Sequence, residues 1–148
     1  MDSFKLDYFK KEHKEQSINF TTLSKYECDE VYASFCLAYQ IKAQDRSDIF
    51  GFIQNNGRFI SSMNAQDKDF DLYLLIQEQC GSQMPIHLNV CWDNFCTIDC
   101  FDSNDLATYF DYIWYPAADD IIIFDNLYKI CLMVRHDGAI YILNYQKR

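Results

Sequence analysis

Apolar residues recur along this chain in two rhythms. Cys28, Val31, Tyr32, Phe35 and Tyr39 return at intervals of three and four, which places them on one side of a helix. Ser24-Lys25-Tyr26-Glu27 has the spacing of a capping box, with Leu23 and Cys28 placed for a hydrophobic staple. The spacing predicts a helix over 25–43. Apolar runs at 49–54 and 58–63 then flank Asn55-Asn56-Gly57. Asn-Gly between two such runs is a type I′ turn signal, so a hairpin is expected there.

A second helical pattern covers 66–80. Phe70, Tyr73, Leu74 and Gln77 share a face, and Gly81 stands where a glycine stop belongs. The run 72–76 also reads as a strand, because an unbroken apolar run carries no period. Runs at 86–92 and 95–100 predict a hairpin across Asp93-Asn94. A third helix is expected from Asp102 or Ser103, carrying Leu106, Tyr109, Phe110, Ile113 and Trp114 inward and ending before Pro116. Residues 121–124 are wholly apolar, as in a buried strand. Residues 129–135 and 139–144 predict a last hairpin, with Asp137-Gly138 as another type I′ pair. Residues 1–20 have poor periodicity and nearly cancelling charges, and read as a loose arm.

The order α-ββ-α-ββ-α-β-ββ predicts an α+β fold: an antiparallel sheet built from hairpins, with about three helices packed on one face. At 148 residues the chain fits a single domain, 1–148. Aromatic residues make up 17% of it, which excludes a disordered tail. With only 4 Gly and 2 Pro, collagen-like and low-complexity classes are excluded too.

Charge changes the picture more than composition does. The net charge of −9 is unevenly spread. From Asp67 to Asp125 there are 12 acids and one base, Lys68, so that segment carries −11 and the remainder +2. An acidic field repels nucleic acid and membrane surfaces and steers basic partners. Solubility is the plainer explanation of acidity, although it does not call for segregation.

Several residue sets invite a chemical reading. With a two-residue turn at Asp93-Asn94, Cys91 would face Cys96 and His87 would face Cys100, putting one His and three Cys on one strand face. Those are zinc-ligand types. However, His87 and Cys91 would lie about 13 Å apart along the strand, too far to share one ion in a regular hairpin. The expectation is therefore no metal and no cofactor. The seven cysteines are odd in number, and the charged N-terminus lacks the apolar core of a signal peptide. A reducing cytoplasm is expected, with the thiols acting as small apolar groups. No cysteine sits in a recognisable nucleophile turn, and His136 is explained by turn chemistry. Asp119-Asp120 and the acids around the third helix could form a carboxylate pair, but neighbours in a strand face opposite ways and acids near a helix start offset its dipole.

Tyr115-Pro116-Ala117-Ala118-Asp119-Asp120-Ile121-Ile122-Ile123-Phe124-Asp125, followed by Arg135-His136-Asp137-Gly138-Ala139-Ile140-Tyr141, resembles the closing segment of small bacterial immunity proteins from polymorphic and contact-dependent growth-inhibition toxin systems. The resemblance implies a cytoplasmic, non-enzymatic inhibitor bound to one cognate toxin domain. The acidic balance suits a basic partner such as a nuclease. The expected contacts are Asp93, Asp102, Asp105, Asp111, Asp119 and Asp120, with Trp92 or Tyr112 as an aromatic anchor. Two other classes stay open: an acidic nucleic-acid mimic or other protein-binding module, and a thiol or carboxylate enzyme.

Overall fold

Ile121, Ile122, Ile123 and Phe124 are all completely buried. A strand buries every side chain only when both faces of its sheet are covered. The computed structural model describes residues 1–42, 46–81 and 83–145. Among them a seven-stranded, wholly antiparallel sheet is formed by β1 (Phe20–Thr22), β2 (Arg58–Phe59), β3 (His87–Cys91), β4 (Ile98–Asp102), β5 (Ile121–Phe124), β6 (Cys131–Val134) and β7 (Ile140–Ile142). Their spatial order is β1-β4-β3-β5-β6-β7-β2. Six helices accompany them: α1 (Ser3–Glu12), α2 (Lys25–Ala38), α3 (Ile49–Asn56), α4 (Leu72–Gln79), α5 (Ser103–Thr108) and α6 (Phe110–Ile113). The fold is α+β, with more helices than the sequence pattern suggests. No helix among the described residues is long and apolar enough to cross a membrane.

The helices lie on both faces of the sheet, not on one. Alternation along the strands creates two cores. Leu88, Val90, Phe101, Ile121, Ile123, Leu132 and Val134 pack with α1, α4, α5 and α6 on the first face. Cys91, Ile98, Ile122, Phe124, Cys131 and Met133 pack with α2 and α3 on the second. Periodicity shows which side of an element is apolar, but not which side of the sheet it meets.

Several expected elements change. The N-terminal arm is not loose: residues 3–12 form α1, which buries Phe9 and Lys5. The expected hairpin at 49–63 is absent. Residues 49–56 form α3, whose Ile49 and Ile53 recur at helical spacing and fill the second core. Gly57 ends that helix at φ −80°, with its amide on Ile53, and only Arg58 and Phe59 continue as a strand beside β7. Helix α4 is shorter than 66–80 and turns Leu72, Leu75 and Ile76 inward, leaving Tyr73 and Leu74 exposed. The expected third helix is split at Tyr109 into α5 and α6. The capping box at Ser24 is formed as expected, but α2 ends at Ala38, short of the expected residue 43: Tyr39 is its C-cap and Gln40 takes φ +56°, which a helix cannot continue.

Two turns also differ. Cys91 pairs with Ile98 rather than Cys96, and His87 with Asp102 rather than Cys100. The connection spans residues 93–96, closed by the Trp92 amide on the Thr97 carbonyl at 3.1 Å. Phe95 takes φ +64° in this loop, uncommon for a bulky residue, and its ring fills the second core beside Tyr32, Phe35 and Phe124. At the last hairpin only Gly138 has positive φ, so the Asp137-Gly138 pair is not type I′. The Gly138 amide bonds to the Arg135 carbonyl and the Arg135 amide to the Ala139 carbonyl, which makes a three-residue loop with a glycine bulge.

Candidate protein-binding surface

Six of the eight expected contact residues do structural work inside the chain. The Asp93 carboxylate accepts the amides of Cys96 and Thr97, both at 2.9 Å, and shapes the β3–β4 loop. Asp102 caps α5 by accepting the amides of Asn104 and Asp105. Asp105 ties α5 to the approach to β1 by accepting the backbone and side-chain amides of Asn19 at 2.8 Å. Asp120 accepts the His136 amide at 2.7 Å and faces the His136 ring and Arg135. Asp119 accepts the Lys5 ammonium at 2.5 Å and the Tyr115 amide at 2.8 Å. Trp92 donates from its indole to Asp99 at 2.7 Å.

Asp111 and Tyr112 differ. Asp111 is exposed in the first turn of α6 and makes no hydrogen bond or ion pair with any described residue. Tyr112 is half-buried, next to it, under the outer side of α1. Helix α1 presents Phe4 and Tyr8 one turn apart, 56% and 51% exposed. Phe4 meets Tyr115 edge-on at 5.9 Å between centroids, and Tyr8 meets Tyr112 at 5.7 Å. The four rings form an aromatic strip along the seam between α1 and α6.

Acids border this strip. Burial raises the Tyr112 hydroxyl above its ordinary range, and the neighbouring charges of Glu12 and Asp111 add to that. Tyr115 is raised by burial and, among others, by Asp119. An open hollow of about 510 Å³ adjoins Asp111, lined by Ala65, Gln66, Asp67, Lys68, Trp114 and Pro116. A smaller one, about 250 Å³, runs on from Asp67 past Met63, Phe70 and Leu74, with Asp69 and Asp71 at its side. Asp71 also caps α4 through the amides of Tyr73 and Leu74. The acidic side of the aromatic strip therefore continues into the 62–71 segment.

Asp111 and Tyr112 are among the contacts expected from the sequence, whereas Phe4, Tyr8 and Glu12 emerge from the fold. Their signal was present: Phe4 with Tyr8, and Lys5 with Phe9, are pairs at i,i+4 on two adjacent sides of one helix. The dense charges between them masked the periodicity.

The cysteines and His87 are dispersed. His87 and Asp102 face each other across β3 and β4, and with Cys100 and Thr21 they line an open hollow at the β1 edge. Cys96 is exposed in the β3–β4 loop, whereas Cys91 is buried. Among the described residues no group of three His, Cys, Asp or Glu side chains is arranged to hold a metal ion. Burial raises the thiols of Cys28, Cys36, Cys100 and Cys131, takes Cys80 to about 11 and takes Cys91 to about 12. Those six stay protonated at neutral pH and so are poor nucleophiles.

No known family model matches the chain, and no characterised protein or solved structure is significantly similar to it.

Proposed function

We propose that this chain is a non-enzymatic immunity protein of the cytoplasm that binds one cognate toxin domain, a basic nuclease, and neutralises it. The observation that carries the reading is the aromatic strip in which exposed Phe4 and Tyr8 meet half-buried Tyr115 and Tyr112, bordered by Glu12 and Asp111. Large rings at low conformational cost are the usual anchors of protein interfaces. Acids at the border steer a basic partner and act mainly on association rate. The resemblance of segments 115–125 and 135–141 to immunity proteins supplies the biological role. The acids of the 62–71 segment widen the negative rim on the α6 side.

The contact surface thus shifts from the acidic segment alone to the seam that its helix α6 forms with α1. Asp111 and Tyr112 remain contacts, while Asp93, Asp102, Asp105, Asp119, Asp120 and Trp92 serve the architecture behind that face. The test starts from the genes beside this one, where this proposal places the toxin domain, and proceeds by co-expression. The parent chain protects the cell and forms a complex at low salt. Tyr8→Ala with Asp111→Lys loses protection while its circular dichroism and melting curve stay those of the parent. A chain that neither protects nor binds, or a double variant that does both as well as the parent, overturns the proposal.

A further inference from the structure

Lysine is among the residues least often fully buried, yet Lys5 is only 2% exposed in the middle of α1. Its ammonium group is enclosed by groups that suit a cation. It donates to Asp119 at 2.5 Å and to the carbonyl of Ile113 at 2.8 Å. It also lies 4.5 Å from the ring centre of Trp92 and 4.9 Å from that of Tyr115. Asp119 is itself held in place by the Tyr115 amide. A buried ion pair of this kind gains little over apolar side chains of similar volume, because desolvation offsets the attraction. Its distinctive contribution is direction: a charge-assisted hydrogen bond has a narrow geometry, whereas apolar contact tolerates a helix rolling on its bed.

Otherwise α1 is seated by ring packing, with Phe9 and His13 each against Tyr109 and Tyr112, contacts that tolerate rotation more readily than a charge-assisted hydrogen bond does. The fully buried residues of α1 are Lys5 and Phe9, on one side. The amino group of Met1, on Asp99, anchors the start of the chain but lies ahead of the helix. The direction in which α1 points Lys5 decides where Phe4, its neighbour, and Tyr8, one turn on, must lie.

We infer that Lys5 is a positioning residue: enclosed by Asp119, the Ile113 carbonyl, Trp92 and Tyr115, it fixes the rotation of α1 and so aligns Phe4 and Tyr8 with Tyr115 and Tyr112. The inference deepens the proposed binding role of that strip. Its test needs no partner, so the two can fail separately.

The full chain is compared with the double variant Lys5→Met/Asp119→Asn, which leaves no charge unpaired in the interior, and with Lys5→Arg, by amide exchange over residues 3–12, by the ring–ring nuclear Overhauser effect between Tyr8 and Tyr112, and by thermal melting. In the double variant, exchange in α1 rises roughly tenfold or more and the ring contact is lost, while melting stays within about 5 °C of the parent. Lys5→Arg keeps the charge and retains part of the ring contact. If α1 protection and the ring contact survive in the double variant, Lys5 does not orient the helix. If they disappear only together with a large fall in melting temperature, Lys5 is a stabilising contact and no more. Either result overturns the inference.

Discussion

The indole of Trp92 donates to the carboxylate of Asp99 at 2.7 Å, and Asp99 has no solvent exposure. The same carboxylate accepts Thr22 Oγ1 at 2.6 Å and meets the amino group of Met1. Trp92 is thereby tied to the base of α1. Removing Asp99 would leave a buried cation and an indole donor unpaired. Asp99→Ala is expected to cost about 3–5 kcal/mol of unfolding free energy, the range for breaking a buried pair from one side. Urea denaturation measures it, and a loss below about 1 kcal/mol would mean that the carboxylate is not holding this junction.

The acids of α5 and α6 should separate by role. Asp102→Ala removes the cap of α5, so a loss of about 1 kcal/mol is expected. Asp111→Lys touches no hydrogen bond, so stability should stay within about 0.5 kcal/mol of the parent. Denaturation of the two single variants checks the contrast. Equal losses would contradict the assignment of Asp102 to architecture and Asp111 to the free surface.

Two glycines should respond in opposite directions. Gly51 lies in α3 with open space where a side chain would go, so Gly51→Ala should stabilise by about 0.5–1 kcal/mol. Gly138 holds φ +83° in the last hairpin, where a Cβ would overlap the side chain of Asn64. Gly138→Ala should destabilise by at least about 1–2 kcal/mol. Thermal melting of both variants would show the opposed shifts. A stabilised Gly138→Ala would rule out the bulged loop.

Alkaline pH should unfold the protein through its buried thiols. The Cys91 thiol ionises near 9 when unfolded and only near 12 in the fold, because burial disfavours the thiolate. Its contribution is intact below pH 9. Between about 9 and 12 the unfolded state releases a proton that the folded state keeps, so stability falls by up to about 1.4 kcal/mol per pH unit for this group. Denaturation midpoints followed from pH 7 to 11 should decline above 9. Cys91→Ala, although less stable at neutral pH, should decline less steeply. An unchanged slope in that variant would mean that Cys91 is not the titrating thiol.

How much of this protein was legible in its sequence depended on how local the deciding physics was. The capping box of α2 needs only Ser24 and Glu27, three residues apart, and it formed as expected. The strand at 121–124 and the last hairpin likewise follow from short patterns, although the three-residue loop around Gly138 depends on hydrogen bonds that dihedral preference alone does not choose. Residues 49–56 show the limit. Asn56-Gly57 has the composition of a hairpin turn, but Ile49 and Ile53 bury more by packing as a helix on the second face of the sheet, and that gain exists only once the sheet is there.

The candidate surface was legible as residue types and charge, and hidden as geometry. That the chain is acidic in one segment and rich in aromatic residues follows from its order of residues alone. Which acids remain free does not. Asp102, Asp105 and Asp111 look alike along the chain, yet one caps a helix, one holds Asn19, and one faces solvent, because hydrogen-bond partners come from elements distant in sequence. The aromatic strip was further hidden because half of it lies in α1, where Lys5 binds Asp119 across 114 positions. Burial and long-range pairing are properties of the folded chain, and no local pattern contains them.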